Sequence, residues 1–310
     1  MVTGRQIRIL SVLTVGAILV AAPLMGQVVG GSPEKPPSLA VSTAWLGEHL
    51  ADPWLVILHV GTKDTYDAGH VPGARFLPIE AVSTPRGQGL TLELPPVSEL
   101  EVIFEKMGVT DRSRIVLCSD SALPSPATRV FFTLDYLGLG DRTSLLDGGL
   151  AAWRSDGRPV TKDLPSVIPG AFTPHPRRDI VVDAEWVRAH LDQPGVALLD
   201  ARPEESFSGV KPGTWPRAGH IPGAHSLPST SIFSEQGRLK DTETLRRMFQ
   251  DAGAHPGDQV VTYCNIGMQA SALYFVGRML GDDVRLYDGS WDEWSRRPEL
   301  PIVGAAPPIK

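Results

Sequence analysis

The stretch Gly69–Ala74, which reads GHVPGA, returns at Gly219–Ala224 as GHIPGA. Further pairs recur in the same order: Arg114–Leu117 (RIVL) with Gln259–Thr262 (QVVT), Ala127–Gly138 with Ala270–Gly281, and Leu145–Trp153 (LLDGGLAAW) with Leu286–Trp294 (LYDGSWDEW). The period is the length of a domain and far exceeds the roughly 20–50 residues of a solenoid repeat. The sequence therefore predicts a duplicated domain.

Length and composition agree with a two-domain globular protein. A chain of 310 residues suits two domains of about 100–150 residues each. Its 42% apolar and 21% charged content is ordinary for folded proteins. A net charge of -6 lacks the basic footprint of nucleic-acid-binding proteins, so nucleic acid is excluded as a partner.

The N-terminus, residues 1–26, is typical of a secretory signal peptide. Arg5 and Arg8 supply a positive start, and Ile9–Ala22 is an almost unbroken apolar run followed by small residues. The alternative is an uncleaved anchor, because the run approaches the roughly 20 residues that span a bilayer. We expect an exported, periplasmic or extracellular protein, in contact with a membrane only through this segment if it is not cleaved.

The remaining chain divides into a flexible polar lead (27–38), a first domain (39–163), a linker (164–176) and a second domain (177–305). The linker, LPSVIPGAFTPHP, is rich in proline and has no period. Such a segment is typical of a connection between two folded units.

Within each copy, short apolar runs alternate with helical patterns. In the second copy, Val196–Asp200 and Val260–Tyr263 have the composition of buried strands, and Leu245–Gln250 and Ser271–Leu280 that of helices. Strands that alternate with helices indicate a parallel sheet with helices on both faces. The fold class is therefore α/β, with one such sheet in each tandem domain.

Cys264 lies between a predicted strand and a predicted helix, where ligands gather in open α/β sheets. A helix N-terminus offers unpaired N–H groups and partial positive charge, so we expect it to lower the pKa of the thiol. Gly267 permits tight curvature in the loop CNIGMQ, and a curled loop with inward N–H groups is an anion cradle. The alternative is an inert cysteine at the end of a buried strand.

The first copy keeps the scaffold without this loop. Ser119 falls at the position of Cys264, and the loop that follows contains Pro124 and Pro126, each of which lacks an N–H group. Cys118 falls inside the preceding strand, where we expect a buried, inert thiol with no disulfide. One loop in two copies predicts an enzyme with an inactive supporting domain.

The paired GH[VI]PGA turns, the DGGLAAW and DGSWDEW ends and the CNIGMQ loop resemble the tandem-domain rhodaneses, the thiosulfate and 3-mercaptopyruvate sulfurtransferases. The resemblance implies that Cys264 attacks a sulfane sulfur and carries it as a persulfide to cyanide or a thiol acceptor. It implies that the other loop residues bind substrate: Asn265, Ile266, Gly267, Met268 and Gln269.

The resemblance extends to LLDARPEESF, because the family has an Asp-x-Arg at the place of Asp200 and Arg202. It implies that Arg202 binds the substrate anion and that Asp200 organises the neighbouring loops. From the sequence alone, the two residues could equally form a surface ion pair. The first copy has His59 and Gly61 at these positions, in agreement with an inactive domain.

The choice of sulfur donor depends on departures from the family pattern. Mercaptopyruvate-using relatives have a second arginine where this chain has Ser206, so we expect thiosulfate as donor, with 3-mercaptopyruvate as the alternative. Arg217 could replace the missing arginine or be solvated. Asn265 and Ile266 match neither substrate class, and Gln269 brings no charge to the loop.

Two other function classes compete with a sulfurtransferase. Cysteine phosphatases also use a curled loop before a helix, but they need an arginine at the position of Ala270. A non-catalytic rhodanese-like module that binds sulfur or a partner remains an alternative, and the sulfur acceptor could be a protein.

Other conspicuous residues have structural interpretations. His70 and His220 occur in both copies, including the inactive one, which favours a role in the fold over catalysis. Trp153, Trp291 and Trp294 are expected to pack in the core or between the domains. The sequence has no HExxH, CxxC or glycine-rich nucleotide loop, so no metal or other cofactor is expected.

Overall fold

A computed structural model of the chain describes residues 1–2, 38–85, 89–120, 123–211 and 213–304. The predicted signal peptide or anchor (1–26) and lead (27–38) lie outside these residues except at residues 1, 2 and 38. Among the described residues, no helix is long and apolar enough to cross a membrane. The described residues from Ser38 onward belong to one compact unit.

The first half contains a five-stranded parallel sheet with the strand order β1-β5-β4-β2-β3. Its strands are β1 (Ala40–Val41), β2 (Leu55–Val60), β3 (Arg75–Leu77), β4 (Arg114–Ser119) and β5 (Thr143–Leu146). Its helices are α1 (Thr43–His49), α2 (Lys63–Ala68), α3 (Val97–Lys106), α4 (Ser125–Tyr136) and α5 (Gly149–Ser155), with 3₁₀ turns at Ile79–Val82 and Gly140–Arg142.

The second half repeats this order as β6-β10-β9-β7-β8, again in parallel. Its strands are β6 (Val181–Val182), β7 (Val196–Asp200), β8 (Ala224–Ser226), β9 (Gln259–Tyr263) and β10 (Asp283–Tyr287). Its helices are α6 (Ala184–Ala189), α7 (Glu204–Phe207), α8 (Thr242–Asp251), α9 (Ala270–Leu280) and α10 (Ser290–Arg296), with 3₁₀ turns at Arg178–Ile180 and Ser229–Ile232. The predicted α/β class is confirmed.

The strand registers show which residues of the two halves are equivalent. His59 of β2 lies opposite Cys118 of β4, and Asp200 of β7 lies opposite Tyr263 of β9. Cys118 and Tyr263 are therefore equivalent, and so are the residues that follow them, Ser119 and Cys264. The alignment read from the repeats holds in three dimensions.

Local sequence signals account for these elements. All six residues of β4 are buried, as expected for a central strand of a sheet covered on both faces. The side chains of Ser42, Asp183 and Asp241 each accept a hydrogen bond from the N–H three residues on. These N-caps satisfy backbone donors that the first helical turn leaves unpaired.

The GHxPGA turns have a structural role in both halves. The His70 ring stacks on Tyr66 and its Nδ1 contacts the Tyr66 carbonyl at 2.8 Å. His220 repeats this arrangement on Phe207, with 2.9 Å between Nδ1 and the carbonyl oxygen. The expected fold role of the two histidines is confirmed.

The tryptophans pack as expected. Trp153, Trp291 and Trp294 are each at most 1% exposed. The indole N–H of Trp153 donates to the Pro159 carbonyl at 2.7 Å, and that of Trp294 donates to the Pro301 carbonyl at 2.8 Å. Trp153 and Trp294 therefore bury their apolar surface while their indole N–H groups stay paired.

The two halves are joined along α4 and α9, the equivalent helices of the repeat. Phe131 meets Phe275 edge to face at 4.8 Å between ring centroids. Asp135 of α4 is 1% exposed and accepts hydrogen bonds from the Tyr274 hydroxyl at 2.6 Å and from Arg278 Nε at 2.7 Å. The two halves are therefore joined by apolar contacts between α4 and α9 and by the buried Asp135, whose charge is paired with Arg278.

The linker residues 164–176 contain no helix or strand but are packed against the first half. Phe172 is 4% exposed and belongs to the core. The N–H groups of Gly170 and His175 donate to the carbonyls of Glu105 and Leu137, at 2.8 and 2.9 Å. The segment is therefore a structured connection.

Candidate active site

Cys264 lies at the end of β9, before α9, and its side chain is fully buried. Its N–H donates to Ser290 Oγ at 3.2 Å, and its carbonyl accepts from the Trp291 N–H at 2.9 Å. Ser290 in turn donates to the Tyr287 carbonyl at 2.8 Å. The backbone of the cysteine is therefore held by the junction of β10 and α10.

Backbone N–H groups converge on the Cys264 sulfur. Burial raises the pKa of the thiol above its ordinary value, while hydrogen bonds from the N–H groups of Ala270, Ile266 and Gln269 act to lower it. Burial prevails, so the prediction of a lowered pKa is wrong in sign. The predicted N–H cradle is present, and it stabilises any anion that forms on this sulfur.

Gly267 gives the loop its curvature. Its φ of +78° lies in the left-handed region that favours glycine. A Cβ at this position would lie 2.8 Å from Arg129 Nη1 and 3.1 Å from Asp288 Oδ1. The glycine is required both by the backbone conformation and by close packing against these two charged groups.

The other loop residues are held from outside the loop. The Asn265 carbonyl accepts from the Asp292 N–H at 2.9 Å, and the Met268 carbonyl accepts from Ser271 Oγ at 2.6 Å. Among the described residues, the buried Asn265 Oδ1 has no hydrogen-bond partner. Substrate binding by Asn265 stays a prediction.

Asp200 and Arg202 form a buried pair, 0% and 1% exposed. Arg202 Nε donates to Asp200 Oδ1 and Oδ2 at 2.9 and 3.0 Å, and Nη2 donates to Oδ2 at 2.5 Å and to the Gly219 carbonyl at 2.8 Å. The guanidinium lies over the Trp291 ring at 4.3 Å. The surface ion pair is excluded, and Asp200 organises Arg202 and its surroundings as expected.

Arg202 is also within electrostatic reach of the sulfur. Burial lowers its pKa, but hydrogen bonds and charge from Asp200, with smaller contributions from Tyr263 and Cys264, raise it overall. The residue is thus a permanent cation beside the cradle. Its binding of the substrate anion stays a prediction.

Arg217 is neither solvated nor a second anion grip. Its guanidinium donates to four backbone carbonyls, those of Trp294, Ser295, Arg297 and Leu300, at 2.5–3.0 Å. It therefore binds the carbonyl groups at the C-terminal end of α10. Both alternatives considered for Arg217 from the sequence are wrong.

The equivalent place in the first half is acidic. Asp120 accepts a hydrogen bond from the Thr62 N–H at 2.7 Å and lies 3.7 Å from His59 Nε2. Its carboxylate occupies the space where a Cβ on Gly61 would lie, which is the position of Arg202 in the second half. The first half therefore has a carboxylate, and no arginine, at this place.

The two cysteines are free thiols. Cys118 is buried in β4, and burial, with a smaller contribution from Asp120, raises its pKa to about 12. Among the described thiols, only that of Cys264 lies at a helix N-terminus with N–H donors. The expectation of two unbridged cysteines is confirmed.

Two residues beside the loop were not predicted from the sequence: Arg129 of the first half and Asp288 of the β10–α10 turn, whose side chains pack against Gly267. One signal was present. Arg129 falls opposite Ala272 in the repeated helices, and an arginine at a position that is apolar in the other copy demands a partner.

Comparison with known proteins finds a match to the Rhodanese-like domain over residues 42–156 and 183–297. A probable 3-mercaptopyruvate sulfurtransferase of Pseudomonas aeruginosa is 37% identical, covering 83% of this chain and 95% of that protein. A sulfur carrier protein of Thermus thermophilus, TtuD, is 31% identical, covering 86% and 97%. A thiosulfate sulfurtransferase of Azotobacter vinelandii is 28% identical, covering 85% and 96%.

Proposed function

This chain belongs to the rhodanese family of sulfurtransferases, with two rhodanese-like domains in tandem, and from that membership we propose that it moves a sulfane sulfur from thiosulfate to cyanide or a thiol through a persulfide on Cys264. The observation that carries the proposal is the fully buried Cys264 at the junction of β9 and α9, where the N–H groups of Ile266, Gln269 and Ala270 act to lower the pKa of its thiol. Such a cradle suits a reaction in which each step places negative charge there.

The first step forms a bond between Cys264 Sγ and the outer sulfur of thiosulfate. The sulfur–sulfur bond of thiosulfate breaks with its electron pair on the departing sulfite, which also takes the thiol proton. The raised pKa of the buried thiol requires that this proton leave as the bond forms. The product is an anionic persulfide inside the N–H cradle.

In the second step the acceptor attacks the outer sulfur of the persulfide. Cyanide becomes thiocyanate, the electron pair of the broken sulfur–sulfur bond returns to Cys264, and the thiolate then takes a proton from water. The two half-reactions share one site, so the kinetics are of the ping-pong type.

The preference for thiosulfate rests on where each donor carries its charge. Thiosulfate carries all of it beside the reacting sulfur, within reach of the loop N–H groups and of Arg202. The carboxylate of 3-mercaptopyruvate lies farther from its sulfur and needs a separate cation. The segment that would supply one has Ser206 at that place, on a helix with two carboxylates, Glu204 and Glu205, in its first turn.

3-Mercaptopyruvate is the second candidate donor, because a probable 3-mercaptopyruvate sulfurtransferase is 37% identical to this chain. A protein acceptor is compatible with the likeness to a sulfur carrier protein. The apolar N-terminal run supports an exported protein, and we place the reaction in the periplasm or outside the cell as part of the same proposal.

The test is the intact mass of the purified protein before and after each donor. We expect thiosulfate to add one sulfur to Cys264, and cyanide to remove it. Cys264→Ser abolishes the gain, whereas Cys118→Ser, which alters the other buried thiol, preserves it. A gain with 3-mercaptopyruvate alone would reverse the donor order, and no gain with either donor would favour a binding module.

A further inference from the structure

Arg129 is a buried cation of the first half that the proposed chemistry does not use. It lies on α4 and is 0% exposed. Its Nη1 lies 2.5 Å from Asp288 Oδ1 of the second half, and its Nη2 donates to the Leu92 carbonyl at 2.7 Å. A charge buried this completely is costly unless paired, so the position of Arg129 is closely tied to Asp288.

The Arg129–Asp288 pair packs on the apex of the catalytic loop. The space beside the Gly267 Cα is closed by Arg129 Nη1 and Asp288 Oδ1, 2.8 and 3.1 Å from where a Cβ would lie. Gly267 stands between Ile266 and Gln269, two of the residues whose N–H groups reach the sulfur. A displacement of the pair therefore changes the direction of those N–H groups.

A second contact from α4 reaches the same loop. Thr128 Oγ1 lies 2.9 Å from Ser271 Oγ, and Ser271 Oγ donates to the Met268 carbonyl at 2.6 Å. Thr128 and Ser271 are equivalent positions of the repeat. Adjacent residues of α4 thus support adjacent residues of the loop, Gly267 and Met268.

We infer that Arg129 and Thr128 of the non-catalytic domain are positioning residues for the catalytic loop. They hold Gly267 and Met268 so that the N–H groups of Ile266, Gln269 and Ala270 point at the Cys264 sulfur. The inference rests on the proposed function for its kinetic part. The first domain then contributes to catalysis by supporting the loop, although it supplies none of the reacting groups.

The test compares Arg129→Met and Thr128→Val with the control Arg278→Met. Arg278 also joins the halves through Asp135, with 2.7 Å between Nε and Oδ2. It lies about two turns beyond Ser271 on α9, away from the catalytic loop. The first readout is a pH titration of the Cys264 thiolate by its ultraviolet absorbance, with the signal of Cys264→Ser subtracted. Asp200 and Arg202, the other charged pair beside the sulfur, are unchanged in every variant.

We expect both α4 variants to move the thiolate titration to higher pH, because N–H bonds to the charged form are weakened. We expect kcat for sulfur transfer to cyanide to fall about tenfold or more, since small displacements of aligned groups cost large factors in rate. KM for the donor should change by a smaller factor than kcat, because Arg202, the donor-binding cation of the proposed function, keeps its place on Asp200 in these variants. Arg278→Met should leave the titration in place even where it lowers the melting temperature.

Thr128→Val nearly preserves volume and removes no charge, so it keeps the test decisive if Arg129→Met does not fold. A wild-type titration in Thr128→Val or in a folded Arg129→Met would overturn the inference. An equal shift in Arg278→Met would also overturn it, because the effect would then be general loosening between the domains. The titration needs no sulfur donor, so failure of the wild type to form a persulfide would refute the proposed function alone.

Discussion

Gly267→Ala isolates the cost of adding one methyl group at the apex of the catalytic loop. The native φ of +78° costs a residue with a Cβ about 1–2 kcal/mol. The new Cβ would also lie 2.8 Å from Arg129 Nη1 and 3.1 Å from Asp288 Oδ1, and overpacking of this kind costs about 1–3 kcal/mol. The expected loss of unfolding free energy is therefore about 2–5 kcal/mol.

Gly281→Ala is the matched control. Gly281 ends α9 in the same domain with a φ of +79°, and a Cβ there meets nothing within 4 Å. This variant bears the backbone cost alone, about 1–2 kcal/mol. The difference between the two variants measures the steric contact with the Arg129–Asp288 pair.

Urea unfolding of both variants measures the stabilities, and sulfur transfer from thiosulfate to cyanide measures the activity. We expect Gly267→Ala to lose about 1–3 kcal/mol more than Gly281→Ala and to lose most of its kcat, because the loop must move away from the pair. Equal stabilities in the two variants, with kcat retained in Gly267→Ala, would refute the close packing at the loop apex.

Two further predictions concern the buried charged and ionisable groups. Arg202→Ala should raise KM for the anionic donor and cost about 3–5 kcal/mol, because Asp200 is left buried without its cation; donor kinetics and urea unfolding check this, and an unaltered KM would remove Arg202 from the site. Burial raises the pKa of Cys118 from an ordinary 9.0 to about 12, so the folded state binds the thiol proton more tightly than the unfolded state. The contribution of the protonated Cys118 thiol to the free energy of unfolding is complete below pH 9 and is lost as the pH rises from 9 toward 12. Cys118→Ala should therefore gain stability relative to wild type between pH 9 and 11 in urea unfolding, and a difference that does not change with pH would contradict the shift.

Several features were readable in the chain itself because they depend on neighbouring residues. The strand at Val196–Asp200, the strand–loop–helix around Cys264 and the turns after His70 and His220 are each specified by local apolar periodicity and by turn residues. The duplication supplied the alignment that places Ser119 against Cys264. Local patterning and internal comparison were enough to predict the α/β class and the candidate nucleophile.

Only the tertiary structure decided three other features: the sign of the Cys264 pKa shift, the partners of Arg217 and the contact of Arg129 with Gly267. Desolvation of a thiol depends on everything that covers it, and here burial outweighs the helix N-terminus that the sequence made visible. Arg129 and Asp288 are far apart in the chain and meet only because α4 packs against α9. A sequence read one segment at a time shows which groups are charged; only the assembled fold shows which opposite charge, carbonyl or loop each one reaches.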